Sequence, residues 1–475
     1  MTRFLLAALA VLGLSLPALA QDNLAQLRPA PTPITDAPRA PGAPFLPGGA
    51  ADRITLAPGA DASRAMAVSF RTHADQTETR AEIGRVLDGP TSAADVRALT
   101  GESRIVADAD GAARYHHVRF DDLEPATRYV YRVRGLEGWS PWLPFVTASD
   151  AFAPTRLIYL GDAQNRIGDV ATRVIAEALT RPHDMVLHAG DLVASRLEIA
   201  HDDEWAQWHA AGGLNYAMRP QVPAAGNHEF VKIDLEDGSE TRVLTPHFPA
   251  LFPVPANGAD GLPDTTFVTD YQGVRIITLD TTSAVELGGL ETQTRWLEEV
   301  LTDNPARWTI ALFHHPVITC ARPENTEFLM EHWTPLFEAH GVDLVLQGHD
   351  HCYARYSEWR LPAGPEREAA QQALAGPVYL VSVSGYKMYA LNDRAAHESD
   401  RYGADTQTFQ LIDISHDRLV FETWTPTGGL YDAFALERRE DGRNRLVEDP
   451  RERSPLRVCY GDTGPDGGPC HGSEK

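Results

Sequence analysis

Residues 156 to 164 read Arg-Leu-Ile-Tyr-Leu-Gly-Asp-Ala-Gln, an apolar run that stops abruptly at Gly161-Asp162. Three more runs end the same way. Met185-Val-Leu187 leads to Gly190-Asp191-Leu192-Val193, Thr309-Ile-Ala-Leu-Phe313 to His314-His315-Pro316, and Asp343-Leu-Val-Leu346 to Gly348-His349-Asp350-His351. A weaker stretch, Gln221 to Ala225, precedes Gly226-Asn227-His228-Glu229. Between such runs lie helix-like segments, with Val170, Val174, Ile175, Ala178 and Leu179 stopped at Pro182, and later Trp296, Leu297, Val300 and Leu301. Short apolar runs alternating with amphipathic segments predict an α/β domain over residues 155–440.

Residues just past the C-terminal ends of strands in an open α/β sheet converge on one crevice. The five clusters therefore bring Asp162, Asp191, Asn227, His314, His349 and His351 together: two carboxylates, a carboxamide and three imidazoles. Oxygen and nitrogen donors without thiolates suit Fe, Zn, Mn or Co, and one shared carboxylate can hold two ions about 3.5–4 Å apart.

Upstream, residues 51–149 carry short alternating runs and no long helical period, which predicts an all-β sandwich. Farther upstream, Arg3, the apolar Phe4 to Leu16 and Ala18-Leu19-Ala20 form a signal peptide over residues 1–20, cleaved after Ala20, and place the protein in the periplasm or outside the cell. No other stretch is long enough for a membrane anchor. Residues 21–50 form a Pro/Ala-rich linker, and residues 441–475 a polar C-terminal tail. There Cys459 and Cys470 bracket a Gly/Asp/Pro run, and in an exported chain they pair or remain free thiols. Lys plus Arg total 42 against 66 Asp plus Glu, a formal charge of −24, which disfavours nucleic acid as a stable partner. Neither a G-x-S-x-G elbow nor a G-x-x-x-x-G-K-[ST] loop is present, so serine hydrolysis and P-loop chemistry find no support.

The five clusters, in this order, resemble those of the calcineurin-like metallophosphoesterases and, within them, the purple acid phosphatases, whose blocks read GDxG, GDxxY, GNH(D/E), VxxH and GHxH. The last block continues through Tyr353 and Arg355, like the family's GHxHxYxR, and Leu123-Glu-Pro-Ala-Thr-Arg-Tyr129-Val-Tyr131 resembles the fibronectin type III-like module that precedes the catalytic part of these enzymes. The resemblance implies a four-layer α/β/β/α catalytic sandwich and two metal ions. Asp191 would bridge them, Asp162 and His351 complete the first site, and Asn227, His314 and His349 the second, around a hydroxide that attacks phosphorus. His228 would stabilise a phosphoryl oxygen or protonate the leaving alkoxide, or else serve as a hydrogen-bonded structural histidine. With His314 and His351 on one cluster, Cys320 and Cys352 come close enough to pair.

Two positions depart from the family pattern. The tyrosine ligand of GDxxY is replaced by Ala194, and Gln164 stands where the purple enzymes carry glycine. Gln164 either fills the vacated metal position or hydrogen-bonds beside it. Outside the motifs, His315 shapes the pocket, Arg322 and Asn165 are candidates for phosphate oxygens, and Trp205 and Trp208 pack a helix. The reading is a phosphate monoesterase acting on a small phosphate-ester substrate; the alternatives are a phosphodiesterase or nucleotidase on the same site, or an inert binding or adhesion protein.

Overall fold

The computed structural model describes residues 46–91, 93–108, 111–194, 202–357, 376–440 and 442–473. The signal peptide expected at 1–20 and the linker up to residue 45 lie outside the described residues. Among the described residues no helix is long and apolar enough to cross a membrane.

Two four-stranded antiparallel sheets make the first layer pair. One orders Asp52–Pro58, Met66–His73, Gly111–Phe120 and Glu102–Asp108; the other orders Ala93–Thr100, Arg80–Val86, Arg128–Val133 and Leu143–Val146. Alternate residues of each strand face inward. Val68, Phe70, Val118 and Phe120 meet Ile83, Tyr131, Val133 and Phe145 in one buried cluster, with the Phe120 and Tyr131 rings 5.3 Å apart. Both tyrosines of the Tyr129-Val-Tyr131 repeat pack in this core. Tyr131 also donates its hydroxyl to the Ala217 carbonyl at 2.6 Å, and His117 donates a ring N–H to the Ala250 carbonyl at 2.8 Å, so the sandwich is bonded to the following domain.

That domain is built on two seven-stranded mixed sheets. The first orders Gln221–Pro223, Met185–His188, Thr155–Leu160, Phe409–Ile414, Arg418–Trp424, Leu430–Arg438 and Asn444–Glu448. The second orders Phe267–Tyr271, Val274–Thr278, Trp308–Leu312, Leu344–Gln347, Val378–Val381, Tyr353–Tyr356 and Arg401–Gly403. Strands buried on both faces explain why their sequences read as continuous apolar runs. In Thr155–Leu160, Leu157 and Tyr159 face the second sheet together with Ile276, Ile310, Leu312, Leu344 and Leu346. Ile158 and Leu160 instead face helices Thr172–Leu179 and Asp202–Gly212, where Trp205 and Trp208 are fully buried. The outer face of the second sheet is covered by Leu290–Thr302 and Thr334–Ala339. Helix, sheet, sheet and helix make the four layers.

The polar tail expected from residue 441 is corrected in part. Asn444–Glu448 is an edge strand paired with Leu430–Arg438, and Cys459 is bonded to Cys470. Five residues whose one buried apolar side chain is Leu446 give too short an alternation to stand out from a charged segment.

Polar bonds cross the sheet interface. The Tyr159 hydroxyl donates to the Gln347 carbonyl. Arg355 is 1% exposed; its Nε lies 2.8 Å from Asp432 Oδ2 and its Nη1 2.8 Å from Glu448 Oε1, while Tyr353 donates to Asp432 Oδ2 at 2.9 Å. The Tyr353 and Arg355 of the last motif therefore join the two sheets. Replacing Arg355 by Met leaves the buried Asp432 with only Arg453, 3.5 Å away, as a cationic partner and should cost about 3 kcal/mol. Chemical denaturation of Arg355→Met should show that loss, and adding Asp432→Leu should recover part of it; an unchanged midpoint in the single variant would show that the pair contributes nothing.

Candidate metal centre

The five polar clusters follow strand C-termini of both sheets: Leu160 before Asp162, His188 before Asp191, Pro223 before Asn227, Leu312 before His314, and Gln347 before His349 and His351. Four of these residues have left-handed backbones, with φ of 34° at Asp162, 51° at Asp191, 70° at His349 and 44° at His351. Such conformations cost L-residues about 1–3 kcal/mol each and persist only where the surroundings impose them. Here they are imposed by backbone bonds: Gly385 N–H donates to the Asp162 carbonyl (2.7 Å), Gln164 N–H to that of Asp191 (3.0 Å) and Tyr389 N–H to that of His351 (3.2 Å). Close approach also requires glycine. A Cβ at Gly348 would lie 2.3 Å from Asp162 Oδ2, and one at Gly226 2.3 Å from Asp191 Oδ1.

The side chains form two donor sets that share Asp191. His314 donates Nδ1–H to the Ala189 carbonyl at 2.8 Å, which leaves the Nε2 lone pair pointing inward. That Nε2 lies 3.1 Å from Asp191 Oδ2, 3.2 Å from Asn227 Oδ1 and 3.0 Å from His349 Nδ1. On the other side, His351 donates Nδ1–H to the Lys387 carbonyl at 2.6 Å. Its Nε2 then faces Asp162 Oδ1 at 3.4 Å and lies 3.1 Å from Gln164 Nε2, which donates to Asp191 Oδ2 at 2.9 Å. The six donors named from the strand-end clusters therefore meet, and Gln164 joins them through its N–H₂ group as a hydrogen-bond donor. Asp191, His314 and His349 form one cluster of close donors, and Asp162, Asp191 and His351 another.

The chemistry of this set fits cations. Asp162 Oδ1 and Gln164 Oε1 are buried without a hydrogen-bond partner, a costly arrangement unless another group engages them. Without a cation, protons must balance the buried charge. Burial and the neighbouring Asp191 push the Asp162 carboxyl well up despite His314, and Asp191 lifts His314 to about 9 against the opposing effect of burial. Burial also holds His349 and His351 below their ordinary value, in the neutral form that binds a metal.

Around the cluster, His228 donates its backbone N–H to Asp191 Oδ1 at 2.8 Å, and its Nε2 lies 3.9 Å from Asp191 Oδ2 with the side chain 12% exposed. Burial depresses its basicity, partly opposed by Asp191 and the Ala194 backbone. His315 belongs to neither donor set; it bonds Thr281 Oγ1 and stacks on His349 with ring centroids 4.1 Å apart. Cys320 is bonded to Cys352, tying the loop after His314 to the turn that carries His351.

Two residues carry functions that the sequence alone did not assign. Glu229 is fully buried, and its carboxylate accepts from the backbone N–H groups of Asp191 (2.8 Å), Leu192 (2.8 Å) and Gly226 (2.7 Å), clamping two ligand loops together. Asp350, between the two histidines, accepts from the N–H groups of Cys320 and Ala321, both at 2.7 Å, and pairs with Arg322. Their place inside the motifs was the one signal that pointed to them.

Comparison with known proteins agrees with this geometry. Residues 155–353 match the calcineurin-like phosphoesterase family, and residues 51–147 the N-terminal domain of purple acid phosphatases. An uncharacterised protein of Mycobacterium tuberculosis is 27% identical over 331 residues, which cover 62% of this chain and 60% of that protein. The Fe(3+)-Zn(2+) purple acid phosphatase 12 of Arabidopsis thaliana is 28% identical over 254 residues, 50% of this chain and 52% of that one. The chain thus spans between about half and 60% of the length of these curated relatives. Among solved structures, that of PhoD shares the fold with a TM-score of 0.58 at 14% identity, covering 85% of this chain and 93% of that one.

Glu229→Gln replaces an acceptor oxygen with an N–H₂ group that faces backbone donors. Metal affinity should fall about 10- to 100-fold, as for other groups that orient ligands. Competition against a metallochromic chelator measures it, and affinity equal to wild type would show that the clamp is dispensable.

Proposed function

We propose that this chain, which joins a purple acid phosphatase N-terminal domain to a calcineurin-like metallophosphoesterase domain, is an exported hydrolase of phosphate monoesters that holds two metal ions. The observation that carries this reading is the sharing of Asp191 by two converging donor sets. Asp191 would be shared between the ions; Asp162 and His351, with Gln164 through its Oε1, would hold the first, and Asn227, His314 and His349 the second. When bound, the pair polarises the phosphoryl group and lowers the pKa of water into the range where it is a nucleophile.

The chain's own residues do the rest. The carbonyls of Ala189 and Lys387 fix the orientations of His314 and His351, so that each imidazole presents Nε2 to the centre. His228, beside the shared carboxylate and open to the crevice, offers an N–H to a phosphoryl oxygen, and in its protonated form a proton to the leaving alkoxide. Export is supported by the sequence of residues 1–20 and by two disulfides, which persist in oxidising compartments.

The assay compares p-nitrophenyl phosphate with bis(p-nitrophenyl) phosphate on metal-loaded protein. Faster turnover of the monoester supports the reading; faster diester turnover would move the substrate class to phosphodiesters, and turnover of neither would favour a binding role. Asp191→Asn should retain less than about a tenth of wild-type activity, since even changes beside a ligand cost 10- to 100-fold. Elemental analysis should find two ions per wild-type chain and fewer in the variant; two ions in both would sink the bridging role.

Ala194 bears a methyl group where the purple enzymes have their tyrosinate, the source of their colour, and Gln164 adds a neutral oxygen rather than an anion. Iron-loaded, oxidised protein should therefore show no strong tyrosinate band in the visible spectrum, and a divalent pair from Fe, Zn, Mn or Co should be preferred. A strong band would mean that another tyrosine ligates and that Gln164 does not complete the first site.

A further inference from the structure

Beyond the donor sets, one wall of the crevice carries two cations that the hydrolytic reading leaves without a task. Tyr389 packs on the ligand His351 with ring centroids 4.7 Å apart. Arg322 and Lys387 both lie over the Tyr389 ring, the guanidinium carbon 5.2 Å and the ammonium nitrogen 5.1 Å from its centroid. Both heads therefore stand one aromatic ring away from a metal ligand.

Their other contacts differ. Arg322 is anchored from behind: Nη1 meets Asp350 Oδ1 and donates to the His349 carbonyl at 3.2 Å, while the side chain stays 36% exposed. Its remaining N–H groups have no hydrogen-bond partner among the described residues. Asp350 is itself fixed, fully buried and bonded to the backbone of Cys320 and Ala321 beside the Cys320–Cys352 bridge. The Lys387 ammonium has no hydrogen-bond or ion-pair partner among the described residues, although the chain carries 66 acidic residues against 42 basic ones.

On an acidic chain that offers many carboxylates, an ammonium without a partner among the described residues and a guanidinium with free N–H groups, both set against one ring, leave positive charge that a bound anion would satisfy. A phosphoryl group seated on the donor atoms leaves its alcohol portion to run along this wall. Resting on the monoesterase reading, we propose that Arg322, Lys387 and Tyr389 form a subsite for a second anionic group on the alcohol side of the ester, so that the preferred substrates are phosphate monoesters whose leaving alcohol carries a carboxylate or a further phosphate. The forked N–H groups of Arg322 suit a planar or tetrahedral oxyanion, Lys387 adds a point charge, and the Tyr389 ring supplies an apolar floor.

A matched pair of esters isolates the effect. 3-Phosphoglycerate and glycerol 3-phosphate share the same ester oxygen and three-carbon frame and differ by a carboxylate in place of a hydroxymethyl group. Wild-type, metal-loaded protein should favour 3-phosphoglycerate in kcat/KM by about tenfold or more, mainly through KM, in line with hydrogen bonds to charged groups. That ratio should fall several-fold in Lys387→Met and in Arg322→Gln, survive in Lys387→Arg, and shrink with rising ionic strength. A merely structural role would lower both esters alike and leave the ratio intact, which would overturn the subsite. Calorimetric titration with each ester provides a readout independent of turnover: tighter binding of 3-phosphoglycerate that is lost in Lys387→Met supports the subsite even if neither ester is hydrolysed, an outcome that would sink only the hydrolase reading. Equal affinities in the wild type would overturn the subsite whatever the turnover.

Discussion

Everything near the crevice follows from the difficulty of burying Asp162 and Asp191 side by side. Each is about 1% exposed, and two unscreened carboxylates at that distance cannot both stay ionised without compensating charge. The chain supplies partial compensation through the His314 imidazole and through backbone N–H groups from His228 and His349. It stops short of full neutralisation, leaving buried oxygens aimed at common points. A fold that solved this electrostatic problem completely with its own groups would have no affinity left for a cation.

The same constraint explains why the architecture is so rigid just beneath the site. The ligands arise from both sheets, so their spacing is only as constant as the seam between the sheets. That seam is mostly apolar, which holds the layers together without fixing their register. The Tyr159–Gln347 bond and the buried Arg355–Asp432–Glu448 group add direction, because hydrogen bonds fail when partners slide and dispersion contacts do not. The Cys320–Cys352 bridge performs a similar task closer to the donors.

How much of this was legible in the sequence depends on what each residue does. The ligands were readable because their chemistry restricts residue type and because each follows a strand: a glycine and a carboxylate after Leu160, or a glycine and two histidines after Gln347, is a combination that packing and turn formation alone do not demand. The sandwich was readable from alternation and turn spacing. Glu229 and Asp350 were visible as letters yet opaque in role, since a carboxylate that collects backbone N–H groups depends on where distant loops arrive. Arg355 looked like part of the catalytic motif and instead joins the sheets. The edge strand Asn444–Glu448 escaped notice because its partner strand supplies most of the reason for its conformation. For Gln164 the letters left two roles open, and only the geometry shows its N–H₂ group lying between Asp191 and His351.

The strand that delivers Asp162 has Met185–His188 on one side and Phe409–Ile414 on the other, with Tyr159 opposite Gln410. Its neighbour on that flank thus arrives late in synthesis, and a nascent chain emerging from the ribosome or a translocation pore cannot finish the first sheet until most of its length has passed through. Pairings of such wide sequence separation are slow to form. The crevice, lined in part by the end of this strand, therefore takes its final form only after nearly the whole domain has been made, and a chain cut short before Phe409 would carry every one of its candidate donors and still lack the sheet that sets their spacing.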